Sequence, residues 1–302
     1  MSAQRTLRRA VTCAGIGLHS GQKVTMTLLP AGVGTGIRFR RTDLGGLEVP
    51  ALVSNLSGRQ QLQTALVAGA ASVETVEHLL AAFRGMGVDN VVVELNHREV
   101  PIMDGSSAPW VYLIQDAGVK LQGALRRTIQ VMRPIQVQHG DKRAAVYPAD
   151  GFRVSYTISF DHPMLRHQQK TLELDEQVFV DEVAPARTFG FLKEVEMLRQ
   201  RGQALGGSLD NAVVLGETGV LNPLRFEDEF VRHKILDVVG DLALVGHPLQ
   251  AHLVVHRGGH ALHAALAEEI LRQPDAWQFV EAGVDVRSRR AGEQVAARPL
   301  AG

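Results

Sequence analysis

Two α+β domains of like design are what this sequence predicts, and three observations carry the prediction. Apolar stretches with strand-like alternation crowd both halves of the chain. Each half then runs through a helix, a strand and a second helix. Gly, Pro and Asp punctuate the joins. At 302 residues there is room for two ordinary domains. In order, "KVTMTLLPA", "IRFRRTDL", "LEVPALVSNL" and "QLQTALVAGAASV" read as short strands. "TVEHLLAAFRGMG" reads as a helix, with Thr75 as its N-cap and Gly85 and Gly87 as stop signals. "VDNVVVEL" is a buried strand. "VPIMDGSSAPW" is an Asp-Gly turn leading to a helix start at Pro109, and that helix ends at Gly118. The pattern restarts near Arg126, with strands in "RTIQVMRPIQVQHGDKRAAVYPAD" and "FRVSYTISF". A loop, a short helix after "ARTFGF", the helix "FEDEFVRHKILDVVGDLAL", the strand "QAHLVVHRG" and the helix "HALHAALAEEILRQ" follow. The expected domains are 1–122 and 126–302, with a polar, frayed end from Arg287.

Composition excludes several function classes. Hydrophobic residues make up 45% and charged residues 21%, an ordinary globular balance. Lys+Arg and Asp+Glu number 32 each, so nothing favours nucleic acid or an acidic membrane surface as partner. The lone cysteine, Cys13, rules out internal disulfides and multi-cysteine metal sites, and suits a reducing compartment. "MSAQRTLRRA" lacks the apolar core of a signal peptide, and no apolar run could span a bilayer. The expectation is a soluble, cytoplasmic protein, monomeric because no dimer seam is visible.

The chemistry concentrates on one helix. With His233 at zero and about 100° per residue, Lys234, Asp237 and Asp241 fall within roughly 100° of it. Ile235, Leu236, Val238, Val239, Leu242 and Ala243 fill the arc from roughly 140° to 300°, and Gly240 lies beside the polar edge, keeping it low and open. His233 and Asp237 stand at i and i+4, so both can reach one point, and imidazole and carboxylate are good zinc ligands. Spacing alone still favours a plain His–Asp hydrogen bond, because roughly 0.6 such pairs arise by chance in a chain of this composition. Glu77-His78 offers a third ligand with a carboxylate beside it, suited to taking a proton from an activated water. Such a site would draw on both halves and lie in the cleft between them. Among the later histidines, His260 opens the last helix after a flexible Gly pair, and could donate a proton with Asp241 orienting it. His256 and His263 compete for that part. Thr188 could steady an oxyanion beside an apolar slot formed by phenylalanines. Locally, though, it reads as a turn, as does Lys142.

Taken together, "GIGLHSG", "TVEHLLAA", "GVDNVVVELN", "VPIMDGSSAPW", "ARTFGF", "GGSLDNAVV", "RFEDEFVRHKILDVVGDL" and "GHALHAAL", in this order, resemble the UDP-3-O-acyl-N-acetylglucosamine deacetylases. These are zinc amidases that commit bacteria to lipid A synthesis, and the resemblance covers nearly the whole chain. It implies two α+β domains with small inserts, one of them around residues 188–208 forming the passage for a fatty chain. It implies zinc on His78, His233 and Asp237, with iron(II) as a possible ion in the cell. It implies Glu77 as general base, His260 as proton donor with Asp241 as its partner, and Thr188 polarising the amide oxygen. Lys142, Phe160, Phe189 and Lys234 match positions that hold the UDP-linked acylated amino sugar. Two departures stand out. Leu62 replaces a cysteine found in some members, so metal inhibition should differ. His263 stands where relatives often carry Asn, close to the proton donor, with consequences for the pH profile.

Overall fold

The computed structural model describes residues 3–58 and 62–281. The end expected to fray from Arg287 lies outside them. Strands β1 (Ala3–Leu7), β2 (Val11–Ile16), β3 (Lys23–Pro30), β4 (Ile37–Arg41) and β5 (Leu47–Pro50) open the chain, followed by the hairpin β6 (Ala65–Ala68) and β7 (Ala71–Glu74). Helix α1 (Glu77–Gly85), β8 (Val91–Leu95), α2 (Ala108–Ala117) and β9 (Val119–Leu125) complete this part. β2, β3, β8, β4 and β5 form a five-stranded sheet in that order, parallel only between β4 and β8. Its centre, β8, reads "VVVEL", apolar and buried except at Glu94, as suits a strand largely covered on both faces. β1 pairs instead with β9.

The later residues form β10 (Arg127–Val131), β11 (Ile135–His139), β12 (Lys142–Tyr147), β13 (Phe152–Ile158), β14 (Gln168–Glu173) and α3 (Glu176–Val178), which runs into a π turn at Phe179–Val183. Then come β15 (Phe189–Phe191), α4 (Leu192–Gln200), β16 (Val213–Leu215), α5 (Glu229–Leu242), β17 (Leu249–His256), α6 (His260–Arg272) and β18 (Trp277–Glu281). β17 is the hub of a seven-stranded sheet: β12 lies antiparallel to it, β13 and β10 parallel, with β11, β14 and β18 outside them. Its alternate residues Leu249, Ala251, Leu253 and Val255 are buried, one face of a pleated strand. α5 packs on β13 and β14, and α6 on β11 and β12. The protein is thus α+β, with sheets covered by helices.

Three local expectations need correction. The loop foreseen after Phe160 contains β14, whose sequence "QQKTLE" is too polar to show apolar alternation and which forms by pairing with β13. β18 also lay outside the expected elements, and it pairs along β10. Thr75 is not the cap of α1. An N-cap needs extended backbone, whereas Thr75 has φ +58°, a strained value for a β-branched residue. Its hydroxyl lies 2.6 Å from Gln63 Oε1 and 3.2 Å from Glu99 Oε1 instead.

Candidate metal centre and active site

α1 and α5 pack directly on each other, and a glycine makes this possible. A Cβ at Gly240 would land on the Glu77 carbonyl. Gly240 keeps the polar edge low, as the helical spacing suggested, and the room it leaves is occupied by the start of α1. It lets the start of α1 touch α5, which sets Glu77 and His78 against His233, Asp237 and Asp241. Two polar anchors hold the approach. Ser107 Oγ donates to the His78 carbonyl at 2.7 Å. The buried Glu229 at the start of α5 receives Arg187 Nε at 2.9 Å and the backbone N–H of Arg225 at 2.7 Å. A buried pair of this kind is weak evidence for net stability, but breaking it strands a charge. It fixes the 185–188 segment above the helix.

His78, His233 and Asp237 are all buried, and one ligand atom from each lies within 4.8 Å of the others. His233 Nδ1 donates to the Ala186 carbonyl at 3.0 Å. A neutral His233 consequently turns the lone pair of Nε2 toward Asp237 Oδ1, 3.2 Å away. His78 Nε2 stands 3.6 Å from the same oxygen. That oxygen is buried and has no hydrogen-bond partner among the described residues. The His233 lone pair facing a carboxylate is repelled by it, and an unmet buried acceptor costs about 1–3 kcal/mol. A divalent cation among the three atoms removes both penalties, and two nitrogens with one oxygen form a donor set that zinc accepts. The residues present fit a metal. Burial alone would push the Asp237 carboxyl up, but its contacts with His233 and with Lys234, whose Nζ is 2.7 Å from Oδ2, hold it well below its ordinary range.

One turn further along α5, Asp241 is met differently. Thr64 Oγ1 donates to Oδ1, while His260 Nδ1 at 2.9 Å and His263 Nδ1 at 2.8 Å both lie on Oδ2. Despite burial, which opposes charge, the His260 interactions hold the Asp241 carboxyl at about 2. In return Asp241 lifts His260, against its own burial, to about 9. His260 Nε2 stands 4.0 Å from Glu77 Oε1. The Thr64 N–H holds the other Glu77 oxygen at 3.0 Å. Burial raises the Glu77 carboxyl, with His260 and His78 opposing. His260 and Glu77 thus face each other next to His78, His233 and Asp237.

The other predicted residues lie around this centre. Lys142, exposed at the start of β12, lines a groove of about 980 Å³ that His260 also lines. Phe189 stands edge-on to His233 at 6.2 Å, Phe160 to Phe189 at 5.9 Å, and Phe191 lies 5.8 Å from Phe160. Lys234 Nζ sits 5.6 Å from the Phe189 ring centre. Thr188 is two residues from the Ala186 carbonyl, its N–H bonded to the Gly105 carbonyl at 2.8 Å. Gly105, at φ +83°, permits that turn. His256 ends β17 in an exposed position, whereas both His260 and His263 reach Asp241. Leu62 is exposed.

The profile of UDP-3-O-acyl N-acetylglycosamine deacetylases (LpxC) matches residues 4–272. The chain belongs to this family. A UDP-3-O-acyl-N-acetylglucosamine deacetylase of Pseudomonas entomophila (strain L48) is 50% identical over 285 residues, covering 93% of this chain and 94% of the relative. Proteins of the same name from Geobacter sp. (strain M21) and Saccharophagus degradans are each 48% identical, over 93% of this chain and 93% and 94% of their own lengths. Membership in the deacetylase family implies a catalytic metal, and the cluster on α1 and α5 could hold one.

Two residues in contact with the site escaped the sequence reading. Thr64 donates to Asp241 across a large sequence separation, and no local signal marks it. Tyr156 left a faint one: a tyrosine at an inward position of an alternating strand needs a buried hydrogen-bond partner. Its hydroxyl stands 2.9 Å from His263 Nε2.

Proposed function

We propose that this chain hydrolyses the acetamide of UDP-3-O-(3-hydroxyacyl)-N-acetylglucosamine, releasing acetate and UDP-3-O-acyl-glucosamine in lipid A biosynthesis. The observation that carries the reading is the 4.0 Å pairing of Glu77 with His260 beside His78, His233 and Asp237, in a chain of the deacetylase family. Zinc held by those three residues, or iron(II) in the cell, would supply Lewis acidity for the water and the amide oxygen. Glu77, steadied by the Thr64 N–H, takes the proton of the attacking water. The Thr188 hydroxyl donates to the oxyanion as it develops. His260, held charged by Asp241, gives its proton to the departing amine, which would otherwise leave poorly.

Lys142 and Lys234 hold the anionic nucleotide sugar, and Phe160 and Phe189 the acyl chain. The insert around 188–208 forms the apolar passage. Support for it comes from the ring contacts running outward from His233, and from α4, which has no buried residue and exposes Leu192 and Met197. Division into domains 1–122 and 126–302 belongs to the same proposal. It is supported by the separation of the two large sheets, one built from residues 11–95 and the other from 127–281. The reading also takes the chain as a cytoplasmic monomer, and the lone Cys13 suits that compartment. No helix among the described residues is long and apolar enough to cross a membrane.

Acetate release from UDP-3-O-(3-hydroxyacyl)-N-acetylglucosamine, measured before chelation, after it and with zinc restored, tests the proposal. Activity should vanish and return, and free UDP should compete. Folded, metal-replete protein that releases no acetate would sink the substrate assignment.

A further inference from the structure

His263 has no part in the scheme above, yet it is wholly buried and shares an oxygen with the residue that charges the proton donor. The groups facing it can be named from each element. Asp241 of α5 presents Oδ2, His260 lies beside it on α6 with ring centres 6.2 Å apart, and Tyr156 of β13 presents its hydroxyl. Thr64 meets the far oxygen of Asp241, Glu77 faces His260, and Asp237 lies one turn back along α5.

Hydrogen positions follow from what each atom can do. Asp241 Oδ2 only accepts, so His263 Nδ1 carries a proton. The Tyr156 hydroxyl is buried, and His263 Nε2 is the one hydrogen-bond partner it has among the described residues. Were Nε2 protonated as well, the phenol could accept from it but its own hydrogen would have nowhere to go. With Nε2 bare, Tyr156 donates to it and every group is satisfied. Burial pushes Tyr156 well above its ordinary value, so the phenol keeps its proton. Burial also lowers His263, against the pull of Asp241.

We infer that Tyr156 and His263 form a positioning pair that pins His263 as a neutral Nδ1–H donor on Asp241 and thereby sets how tightly Asp241 holds the proton of His260. Tyr156 fixes the tautomer. His263 fixes the carboxylate and takes up part of its negative charge by hydrogen bonding, without adding a positive charge that would expel the His260 proton. His263 is a positioning residue, and this part of its role rests on the deacetylase reading in which His260 is the acid.

The test uses the metal-loaded enzyme, the deacetylation pH profile and histidine ¹⁵N NMR. His263→Leu leaves Asp241 with one imidazole donor, so His260 holds its proton more firmly and is a poorer acid. The expected result is a roughly tenfold fall in kcat, an unchanged KM and an alkaline limb moved up by about one pH unit. His263→Asn, which keeps an N–H donor, should restore most of both. Tyr156→Phe should shift the limb less, and should add nothing in the His263→Leu background because the phenol acts only through His263. A limb that stays in place in folded, metal-loaded His263→Leu protein overturns the proposal, as does a Tyr156→Phe effect that is fully additive. If His263→Leu does not fold, the same limb is read in Tyr156→Phe, and no shift there overturns it equally. The NMR arm needs no substrate. Wild-type His263 should be protonated on Nδ1 and bare on Nε2 at neutral pH, and an Nε2-protonated ring defeats the pair whether or not the chain deacetylates. Absent acetate release with that tautomer intact would instead defeat the deacetylase reading alone.

Discussion

Asp237 and Asp241 stand one turn apart on α5, both buried, each facing two imidazoles, and they are opposites. Asp241 is met by Nδ1 of His260 and His263 and by the Thr64 hydroxyl, so its acceptor directions are filled by hydrogens. Asp237 Oδ1 is met by Nε2 of His78 and His233. The proton of His233 is committed on the other side of the ring, to the Ala186 carbonyl. Composition is the same in both clusters, two histidines and an aspartate. What separates them is which ring nitrogen faces the carboxylate. One cluster is completed by protons, the arrangement the proposed acid and its partner require. The other leaves a buried carboxylate oxygen unmet with the His233 lone pair facing it, which a cation would satisfy.

The sharpest way to break this comparison is to remove one member from each cluster and measure bound metal. His233→Ala should lose the metal and activity together. Asp241→Asn should keep the metal while turnover falls by about 10²–10⁴, the usual weight of a general acid. Metal analysis beside steady-state rates reads both. Should Asp241→Asn shed metal as readily as His233→Ala, the two clusters are one site and the contrast is wrong.

A smaller effect is read from pH. His260 sits above its ordinary value, at about 9, and as the proposed proton donor it must be protonated, so the rate should fall about tenfold per unit above that pH. Glu77, as the proposed base, must be ionised, and burial raises it, so the acid limb should lie above the ordinary value for a glutamate. The profile of kcat/KM should therefore be bell-shaped, and one flat from about pH 5 to 10 would remove the acid–base pair. Stability follows the same interaction, counted once. The part held by His260 is complete below its unfolded value and disappears as pH rises through about 9. The part held by Asp241 is present above its unfolded value and disappears as pH falls to about 2.

Much of this was legible in the sequence because it is local. His233, Asp237 and Asp241 fall on one edge of a helix by spacing alone, and Glu77-His78 open another helix behind a strand. What spacing could not supply was the order of the ring nitrogens. That depends on the Ala186 carbonyl, 47 positions from His233, and on Thr64, 177 positions from Asp241. β14 was hidden for a related reason. Its polar sequence carries no alternation, and only the β13 ladder makes it a strand. Thr75 shows the reverse failure, since a residue type suited to capping is held by Gln63 and Glu99 in a backbone conformation that cannot cap.

Gly240 tests the comparison most gently, since changing it touches neither aspartate. Its hydrogen faces the Glu77 carbonyl, so Gly240→Ala must move α1 away from α5 or bend one of them. In the middle of a helix, alanine by itself would gain roughly 1 kcal/mol over glycine. Overpacking at a backbone contact costs about 1–3 kcal/mol, and here the clashing atom is a main-chain carbonyl that cannot rotate aside. The clash should win. Expected outcomes are a melting temperature a few degrees lower and a fall in kcat, because Glu77 and His78 shift together while the Thr64, His260 and His263 bonds to Asp241 stay closed. Metal affinity should weaken as His78 withdraws, and the ¹⁵N pattern of His260 and His263 should be unchanged. A variant more stable than the parent would mean that the two helices are not in contact at Gly240, and that some other feature brings Glu77 to the metal cluster.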